Sequence, residues 1–352
     1  MITPGSTIGI IGGGQLGRML SLAAAQLGYR CHIFDPHERP CAADVAAMFT
    51  RANFDDGEAL AAFGSMVDVV TYEFENLPVA PLACLESKLR PGTRSLAIAQ
   101  DRATEKSFIE KCGARVAPWR EVASLADVTA SVLKIGLPLV LKTRRYGYDG
   151  KGQAWIRSRR EEQAAWDAIA EQPAVAEAAI DFMAEFSVII ARWADGRHIF
   201  WDSPQNEHRE GILRRSTVPC GDAVAAQVME ARDAALRIAE ALDHVGVLTV
   251  EFFASREGPL VNEIAPRVHN SGHWTIEGAE TSQFEQHIRA ICDLPPGPSN
   301  LAGSSAEMNN LIGDDVAHWP ELVAEAGLHV HIYDKGEARG GRKMGHVTRV
   351  QR

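Results

Sequence analysis

Residues 247–264 combine two apolar runs with a short polar turn, a pattern that predicts a β-hairpin. If the turn is centred on Glu257, symmetric pairing places Glu251 directly opposite Glu263, residue 252 opposite 262 and residue 253 opposite 261. Carboxylates in facing positions have their Cβ atoms roughly 5 Å apart and repel each other. The chain must therefore fold so that a cation lies beside these two glutamates.

Two kinds of cation satisfy this requirement. One is a Mg²⁺ ion held by the carboxylates and by substrate phosphates. The other is a basic side chain, for which Arg267 is close enough in sequence. The spacing alone leaves the two interpretations about even, because both balance the same charge. Asn262 faces the other side of the strand unless a bulge intervenes, although its place beside Glu263 suggests a third oxygen ligand.

A glycine-rich turn lies between two strand-like runs, residues 137–143, which include Lys142, and residues 153–156. A P-loop instead leads from a strand into a helix through GK[ST], a tripeptide that this sequence lacks. A glycine hairpin can lay its backbone N–H groups over a triphosphate, while a lysine on the supporting strand adds a point charge. The alternative is a flexible solvated hairpin. Four charged residues crowd the turn and argue against it: Arg144, Arg145, Asp149 and Lys151.

The amino-terminal hundred residues alternate short apolar runs with helical patterns, which predicts βαβ units and a parallel sheet. Gly12, Gly14 and Gly17 follow the first strand and open a helix, and Asp35 ends the next strand. This spacing fits a dinucleotide site with Asp35 on the ribose. It also fits a tight turn that needs glycine for its backbone, with Asp35 capping the strand end before Pro36. The other motifs of the chain favour the second interpretation.

A chain of 352 residues exceeds what one hydrophobic core usually supports. We predict three domains, residues 1–99, 100–294 and 295–352, with breaks near Pro91–Gly92 and at the PPGP run of residues 295–298. The predicted fold class is mixed, α/β and α+β.

The overall charge and the cysteine pattern exclude several classes of protein. A formal net charge of −10 argues against a general nucleic-acid binder, which needs a basic face. The six cysteines form no CxxC pair, so neither a zinc site nor a disulfide framework is expected, and a reducing cytosol fits best. The amino terminus lacks the basic and long apolar regions of a signal peptide, and no stretch is apolar enough to cross a membrane. We therefore predict a cytoplasmic protein.

Several long strings resemble one enzyme family. Lys142, the glycine hairpin and the two late glutamates look like the ATP-grasp superfamily. Within it, the following strings closely resemble the 5-(carboxyamino)imidazole ribonucleotide synthase family of purine biosynthesis, nearly from end to end: GGGQLGRML at 12–20, TYEFEN at 71–76, KTRRYGYDGKGQ at 142–153, NEIAPRVHNSGHWT at 262–275, TSQFEQHIRAI at 281–291 and GRKMGHVT at 341–348.

The resemblance implies a fold and a reaction. The fold is a Rossmann-like, pre-ATP-grasp amino-terminal domain, a two-part ATP-grasp domain and a small β-rich carboxy-terminal domain. ATP phosphorylates bicarbonate to carboxyphosphate, and the exocyclic amine of 5-aminoimidazole ribonucleotide is carboxylated with release of ADP and phosphate. The cofactors are ATP and Mg²⁺, with Mn²⁺ possible and without biotin. The partners are small molecules and a second copy of the chain in a homodimer.

The resemblance also assigns roles to residues. The metal ligands are Glu251 and Glu263. The catalytic set is Glu73, Asp149, Arg267 and Lys335. ATP-binding residues are Arg102, Lys142, Gly147, Tyr148, Asp149, Gly150, Lys151, Gly152, Gln153, Glu177, Ala178, Ala179, Ile180, Glu185, His208, Asn262 and Glu263. Substrate-binding residues are Gln15, Leu16, Glu73, Asn270, Ser271, Lys335, Arg342 and Lys343.

Some assignments stay open at this point. A structural and a catalytic role both fit His269 and His273, since histidine often only satisfies buried partners. Glu75 fits a solvated neighbour of Glu73, and Phe252, Phe253 and Trp274 fit core positions better than cofactor contacts. Three rival functions are a formate-dependent glycinamide ribonucleotide transformylase, an NAD-linked oxidoreductase and a nucleotide-binding module without catalysis.

Overall fold

The computed structural model describes residues 1–147 and 151–352. The strands are β1 Thr7–Ile11, β2 Arg30–Asp35, β3 Met48–Arg51, β4 Val69–Tyr72, β5 Trp119–Val122, β6 Leu139–Thr143, β7 Gln153–Ile156, β8 Ala174–Ala178, β9 Phe182–Arg192, β10 His198–Phe200, β11 Gln205–Arg209, β12 Ile212–Val218, β13 Gly246–Ser255, β14 Gly258–Ala265, β15 Ser305–Ile312, β16 Leu328–Ile332 and β17 Lys343–Gln351. The α-helices are α1 Gln15–Gln26, α2 Gly57–Ser65, α3 Thr93–Ala99, α4 Arg102–Lys111, α5 Leu125–Ile135, α6 Glu162–Ala168, α7 Asp222–Ala225, α8 Val228–Ala241, α9 Thr275–Gly278, α10 Gln283–Ile291 and α11 Trp319–Ala324.

The amino-terminal region contains the predicted parallel sheet, in the order β3-β2-β1-β4. All five residues of β1 are buried because the strand lies inside the sheet and is covered by helices. Gly12 follows β1 at a positive φ of 99°, a conformation that glycine adopts without strain. The turn then leads directly into α1. The predicted α/β character of this region is confirmed.

A small antiparallel sheet, in the order β5-β8-β6-β7, forms the second layer. Its apolar face packs on α5 and α6, with Val128 and Trp166 in a separate core. The β6–β7 pair is the predicted glycine hairpin, and Lys142 pairs with Gln153 at its open end. The hairpin therefore extends from the sheet edge towards the middle of the molecule.

A nine-stranded sheet forms the largest layer. Its path runs β14-β13-β9-β11-β12-β15-β17-β16, and β10 pairs with β9. The carboxy-terminal strands β15, β16 and β17 thus continue the sheet that begins at the glutamate hairpin. One core cluster joins Ile8 and Leu20 of the amino-terminal region to Trp193 and Trp274 behind this sheet. The predicted domain limits stay predictions, although this core and this sheet both cross them.

The hairpin of β13 and β14 corrects part of the predicted register. Glu251 faces Glu263 as predicted, but Phe252 pairs with Val261 and Phe253 with Leu260. A bulge at Asn262 shifts the pairing by one residue, so the two outer pairs were wrong. The bulge leaves Asn262 on the same side of the hairpin as the glutamates, where it lines the same cavity.

In the described ranges, no helix is both long enough and apolar enough to cross a membrane. All six cysteines are free thiols.

Buried histidines link the layers. His287 of α10 contacts the Thr71 hydroxyl at 2.8 Å through Nε2 and accepts the Val247 N–H at 3.1 Å through Nδ1. Burial lowers the pKa of His287 to about 3 and that of His244 to about 4. It also holds the pKa of His273 and of His346 well below the ordinary range. These side chains are therefore neutral in the folded protein.

We predict that protonation of these buried histidines destabilises the folded protein in acid. Because the folded pKa lies below the unfolded value near 6.5, the stabilisation is present above pH 6.5 and is lost as pH falls towards 4 and 3. Urea titrations should show a falling free energy of unfolding across this window. His287→Gln should reduce the slope of the unfolding free energy against pH by up to about 1.4 kcal/mol per pH unit. His198→Gln, a change at an exposed position, is the control, and equal slopes in both variants would contradict the assignment.

Candidate active site

The principal cleft has a volume of about 380 Å³ and lies between the small sheet and the glutamate hairpin. Most residues predicted to bind ATP line it: Arg102, Lys142, Lys151, Gln153, Glu177, Ala178, Ala179, Ile180, Glu185, His208, Asn262 and Glu263. Gly147 and Gly152 belong to the adjoining hairpin turn. Tyr148, Asp149 and Gly150 lie outside the described residues.

The two glutamates meet on one wall of the cleft. Arg102 donates a hydrogen bond of 3.0 Å to Glu263, and His269 Nε2 lies 3.3 Å from Glu251. Burial, and then the charge of Glu263, raises the pKa of Glu251 to about 7. The Oδ1 atom of Asn262 is buried and accepts no hydrogen bond from the residues that the structure describes. This wall therefore combines a carboxylate pair with an amide oxygen that the described residues leave without a hydrogen bond.

A Mg²⁺ ion fits this donor set. Two carboxylates and an amide oxygen would hold it, and phosphates and water would complete its shell, because the described residues contain no group of three or more His, Cys, Asp or Glu side chains able to bind a metal alone. Of the basic side chains that the alternative allowed, Arg102 does pair with Glu263, whereas Arg267 donates to Glu75 at 2.5 Å. Glu75 is thus an ion-pair partner, and its interpretation as a solvated residue was wrong.

A buried polar chain fixes Glu251 from behind. His269 Nδ1 accepts the Ser271 N–H at 3.3 Å, so Nε2 carries the proton that faces Glu251. Burial and the charge of Arg267 hold the pKa of His269 well below its usual range. The Ser271 hydroxyl donates to Ser187 at 2.9 Å, and Asn206 donates to the same oxygen at 2.7 Å. His269 therefore has a positioning role that requires no change of its charge.

The opposite wall is cationic. Lys142 lines the cleft and donates a hydrogen bond of 2.9 Å to Glu177 at the end of β8. The other oxygen of this carboxylate lies 3.1 Å from Lys106, a residue that no sequence motif had singled out. Although burial opposes it, the charges of the two lysines lower the pKa of Glu177 to about 2. Glu177 is therefore ionised and holds Lys142 at the cleft surface.

The far end of the cleft is apolar and ends in an ion pair. Phe182 and Phe253 stack with ring centroids 4.7 Å apart, and both line the cleft. Phe252 and Trp274 are buried as predicted, whereas the core position predicted for Phe253 was wrong. The position of Phe253 could have been predicted from the alternation of side chains along β13, since residues 251 and 253 lie on the same face of the strand.

Glu185 and His208 form an ion pair at this end of the cleft. Burial opposes protonation of His208, but the hydrogen bond to Glu185 and the charge of Glu251 raise its pKa. A base and its ribose are the kind of ligand that combines a flat apolar surface with polar groups at one side.

The glycine hairpin carries the conformations that its sequence requires. Gly152 has φ 69°, and a Cβ there would lie 2.5 Å from the Thr143 hydroxyl. Tyr146 also adopts a positive φ, 62°, and is exposed. Arg144 lies 2.9 Å from Asp101, the amino-terminal cap of α4. One of the charged residues of this turn, Arg144, thus anchors the hairpin to α4.

A second cavity of about 650 Å³, the amino-terminal pocket, is lined by Gly13, Gly14, Asp35, Glu73, Phe74, Lys335 and Arg342, among others. The Glu73 carboxylate accepts the N–H groups of Gly14 at 3.0 Å and of Gly17 at 3.3 Å. Burial raises its pKa against these hydrogen bonds. A Cβ at residue 14 would lie 2.7 Å from Glu73 Oε1.

The amino-terminal glycines therefore serve a close approach to a carboxylate. Asp35 accepts the N–H of Gly13 and of His37, each at 2.8 Å, which supports the turn interpretation. Two predicted basic residues face the same pocket. Burial and the charge of Arg342 lower the pKa of Lys335. A pocket with an acid and two cations suits a ligand that carries both an amine and an anionic group.

Some predicted substrate residues lie elsewhere. Asn270 and Lys343 line the cleft and not the amino-terminal pocket. Ser271 is fully buried behind His269. Gln15 and Leu16 begin α1, and Leu16 belongs to the core. Their predicted contacts with substrate stay predictions.

Comparison with known proteins first defines the class. The ATP-grasp domain model matches residues 107–284, the ribonucleotide synthetase preATP-grasp domain model matches 5–100, and the phosphoribosylaminoimidazole carboxylase C-terminal domain model matches 306–352. The chain is an ATP-grasp protein with these three parts, as its sequence strings implied.

Whole-chain relatives then specify the family. The N5-carboxyaminoimidazole ribonucleotide synthase of Brucella melitensis is 48% identical over 99% of this chain and 98% of its own length. A crystal structure of an ADP complex of N5-carboxyaminoimidazole ribonucleotide synthetase has a TM-score of 0.95 at 40% identity, covering 100% of this chain and 94% of that one. The Aspergillus clavatus synthase with ADP and 5-aminoimidazole ribonucleotide has a TM-score of 0.91 at 30% identity, covering 98% and 93%. The chain belongs to the N5-carboxyaminoimidazole ribonucleotide synthase family.

We predict that Glu251 destabilises the ligand-free protein at alkaline pH. Its folded pKa, about 7, lies above its ordinary value of 4.5, so its stabilisation is complete below pH 4.5 and is lost as pH rises through 7. Without ligands, Glu251→Gln should gain several degrees in unfolding midpoint relative to the unmodified chain between pH 5 and pH 8.5. Differential scanning calorimetry measures this difference. Glu257→Gln, at the exposed hairpin turn, is the control, and a pH-independent difference for Glu251→Gln would contradict the prediction.

Proposed function

We propose that this chain catalyses the ATP-dependent carboxylation of 5-aminoimidazole ribonucleotide to N5-carboxyaminoimidazole ribonucleotide in purine biosynthesis. Membership of the synthase family supports the reaction. The structural observation that carries it is the joint presence of a cleft lined by Lys142 and a carboxylate pair and of a separate pocket lined by Glu73, Lys335 and Arg342.

ATP binding would occupy the principal cleft. The stacked rings of Phe182 and Phe253 offer a surface for the base, and the ion pair of Glu185 and His208 would face the ribose. Lys142 and the glycine hairpin would contact the phosphates. A Mg²⁺ ion held by Glu251 and Glu263 would neutralise phosphate charge during transfer.

Carboxylation would proceed through carboxyphosphate. A bicarbonate oxygen takes the γ-phosphoryl group of ATP and ADP leaves. The exocyclic amine then attacks the carboxyl carbon, phosphate departs and the amine loses a proton. Glu73 is suited to orient that amine and to accept the proton, because burial raises its pKa above the ordinary value of a carboxyl group. Lys335 and Arg342 would bind the anionic groups, in line with their place beside Glu73.

The remaining inferences from the family stay predictions: the homodimer, bicarbonate as carboxyl donor, Mn²⁺ as substitute metal, independence from biotin and the cytoplasmic location. Arg267 donates through Nε to Glu75 and through one terminal nitrogen to the Val268 carbonyl, so the other guanidinium N–H groups would serve its predicted catalytic contact with an anion.

We predict the following turnover. Purified protein with ATP, Mg²⁺ and aminoimidazole ribonucleotide should release ADP in a bicarbonate-dependent manner. Glu251→Gln and Glu263→Gln should each lower the rate roughly 100-fold or more, because the ligand set for the metal is broken. A coupled ADP assay measures this, with circular dichroism to confirm folding and Glu257→Gln as control. Turnover with formate and glycinamide ribonucleotide instead would reject the proposal, as would full activity in both variants.

A second prediction separates the two sites kinetically. Arg342→Ala removes a charge-assisted contact from the amino-terminal pocket and should raise KM for the ribonucleotide about tenfold or more. KM for ATP should change less than about twofold, since Arg342 does not line the cleft. Arg339→Ala, an exposed change in the same turn, is the matched control. An equal rise of both KM values would refute the assignment of the pocket.

A further inference from the structure

Lys106 is a fully buried lysine that the mechanism above does not use. It lies on α4, four residues after Arg102, so both side chains point from one face of the helix. Arg102 reaches the cleft, whereas Lys106 does not line it. Lys106 therefore cannot touch the nucleotide, and any role in binding has to act through another residue.

Its contact is the carboxylate that holds Lys142. Lys106 Nζ lies 3.1 Å from Glu177 Oε1 but lacks the geometry of a hydrogen bond. Lys142 donates a hydrogen bond of 2.9 Å to Glu177 Oε2. One carboxylate thus serves two ammonium groups, one behind it and one at the cleft surface. The contribution of Lys106 is mainly its charge.

The charge balance of this cluster matters for a polyanionic ligand. Lys142 and Glu177 alone sum to zero, and their pair would present little net field to phosphates. With Lys106 the three residues carry one net positive charge. In a partly desolvated cleft a unit charge is felt much more strongly than in water.

We propose that Lys106 is a positioning residue for nucleotide binding: it shares the Glu177 carboxylate, so that Lys142 stays oriented yet keeps a net attraction for phosphate. This inference rests on the proposed binding of ATP phosphates beside Lys142. Lys106 should therefore strengthen the binding of nucleoside polyphosphates and leave the binding of nucleosides unchanged.

The test compares ADP with adenosine, which lacks phosphates. Lys106→Met has similar volume and no charge, and it should weaken ADP binding about tenfold or more, measured by isothermal titration calorimetry without metal. Adenosine affinity should stay within about twofold, because base and ribose contacts are untouched. Lys111→Met, an exposed change at the end of the same helix, should leave both affinities unchanged.

A double variant separates charge from packing. Lys106→Met with Glu177→Gln leaves Lys142 as the sole charge, so the net charge returns to that of the unmodified cluster. ADP affinity should recover to within about threefold of the starting value. If Lys106→Met fails to fold, the double variant is compared directly with the unmodified protein. A ratio of ADP to adenosine affinity within about threefold of the unmodified value supports the inference, and a larger loss overturns it.

Three results would overturn the inference: unchanged ADP affinity in Lys106→Met, equal weakening of ADP and adenosine, or no recovery in the double variant. Failure of the unmodified protein to bind ADP would instead reject the proposed function, so the two failures are distinguishable.

Discussion

Repulsion between Glu251 and Glu263 is the constraint on which the rest of the site depends. Two carboxylates held in register across a hairpin are stable only if neighbours bring positive charge or protons. The structure supplies Arg102 to one glutamate and the His269 N–H to the other. With both contacts in place, burial and then the charge of Glu263 still raise the pKa of Glu251. The wall is thus suited to the Mg²⁺ ion that the proposed function would bring to it.

The opposite wall has the complementary arrangement. Lysines are gathered around Glu177, and their mutual repulsion is reduced by the carboxylate without being cancelled. A metal–triphosphate ligand is negative along its phosphates and positive at its metal. The two walls match these two parts, so electrostatic complementarity would orient the ligand of the proposed function as well as attract it.

Several features could be predicted from sequence because they depend on local pattern. The alternation of β13 and β14 around a short turn predicted the Glu251–Glu263 pair, and the glycine spacing after residue 142 predicted the β6–β7 hairpin. The bulge at Asn262 could not be predicted, since apolar alternation tolerates an extra residue. The roles in ATP binding came from family resemblance. Most of the residues named for them line the cleft, and their contacts with ATP stay predictions.

Residues whose environment depends on distant segments were the ones missed. Lys106 looks like an exposed charge on an ordinary helix, and only the meeting of α4 with β8 buries it. Glu75 and Arg267 are separated by 192 positions and pair only in the folded chain. The amino-terminal glycines resembled a dinucleotide motif. Glycine is required wherever a group approaches the backbone closely, and the spacing alone does not tell whether that group is a pyrophosphate or Glu73.

The continuous sheet has a further consequence for how the chain can be divided. Strand β12 pairs with β11 on one side and with carboxy-terminal β15 on the other. A fragment ending near residue 294 would expose the backbone donors and acceptors of β12 along a newly formed edge, a surface prone to intermolecular strand pairing. The carboxy-terminal segment thus covers an edge of the sheet that carries the glutamate hairpin, so it is unsuitable for removal as an independent module.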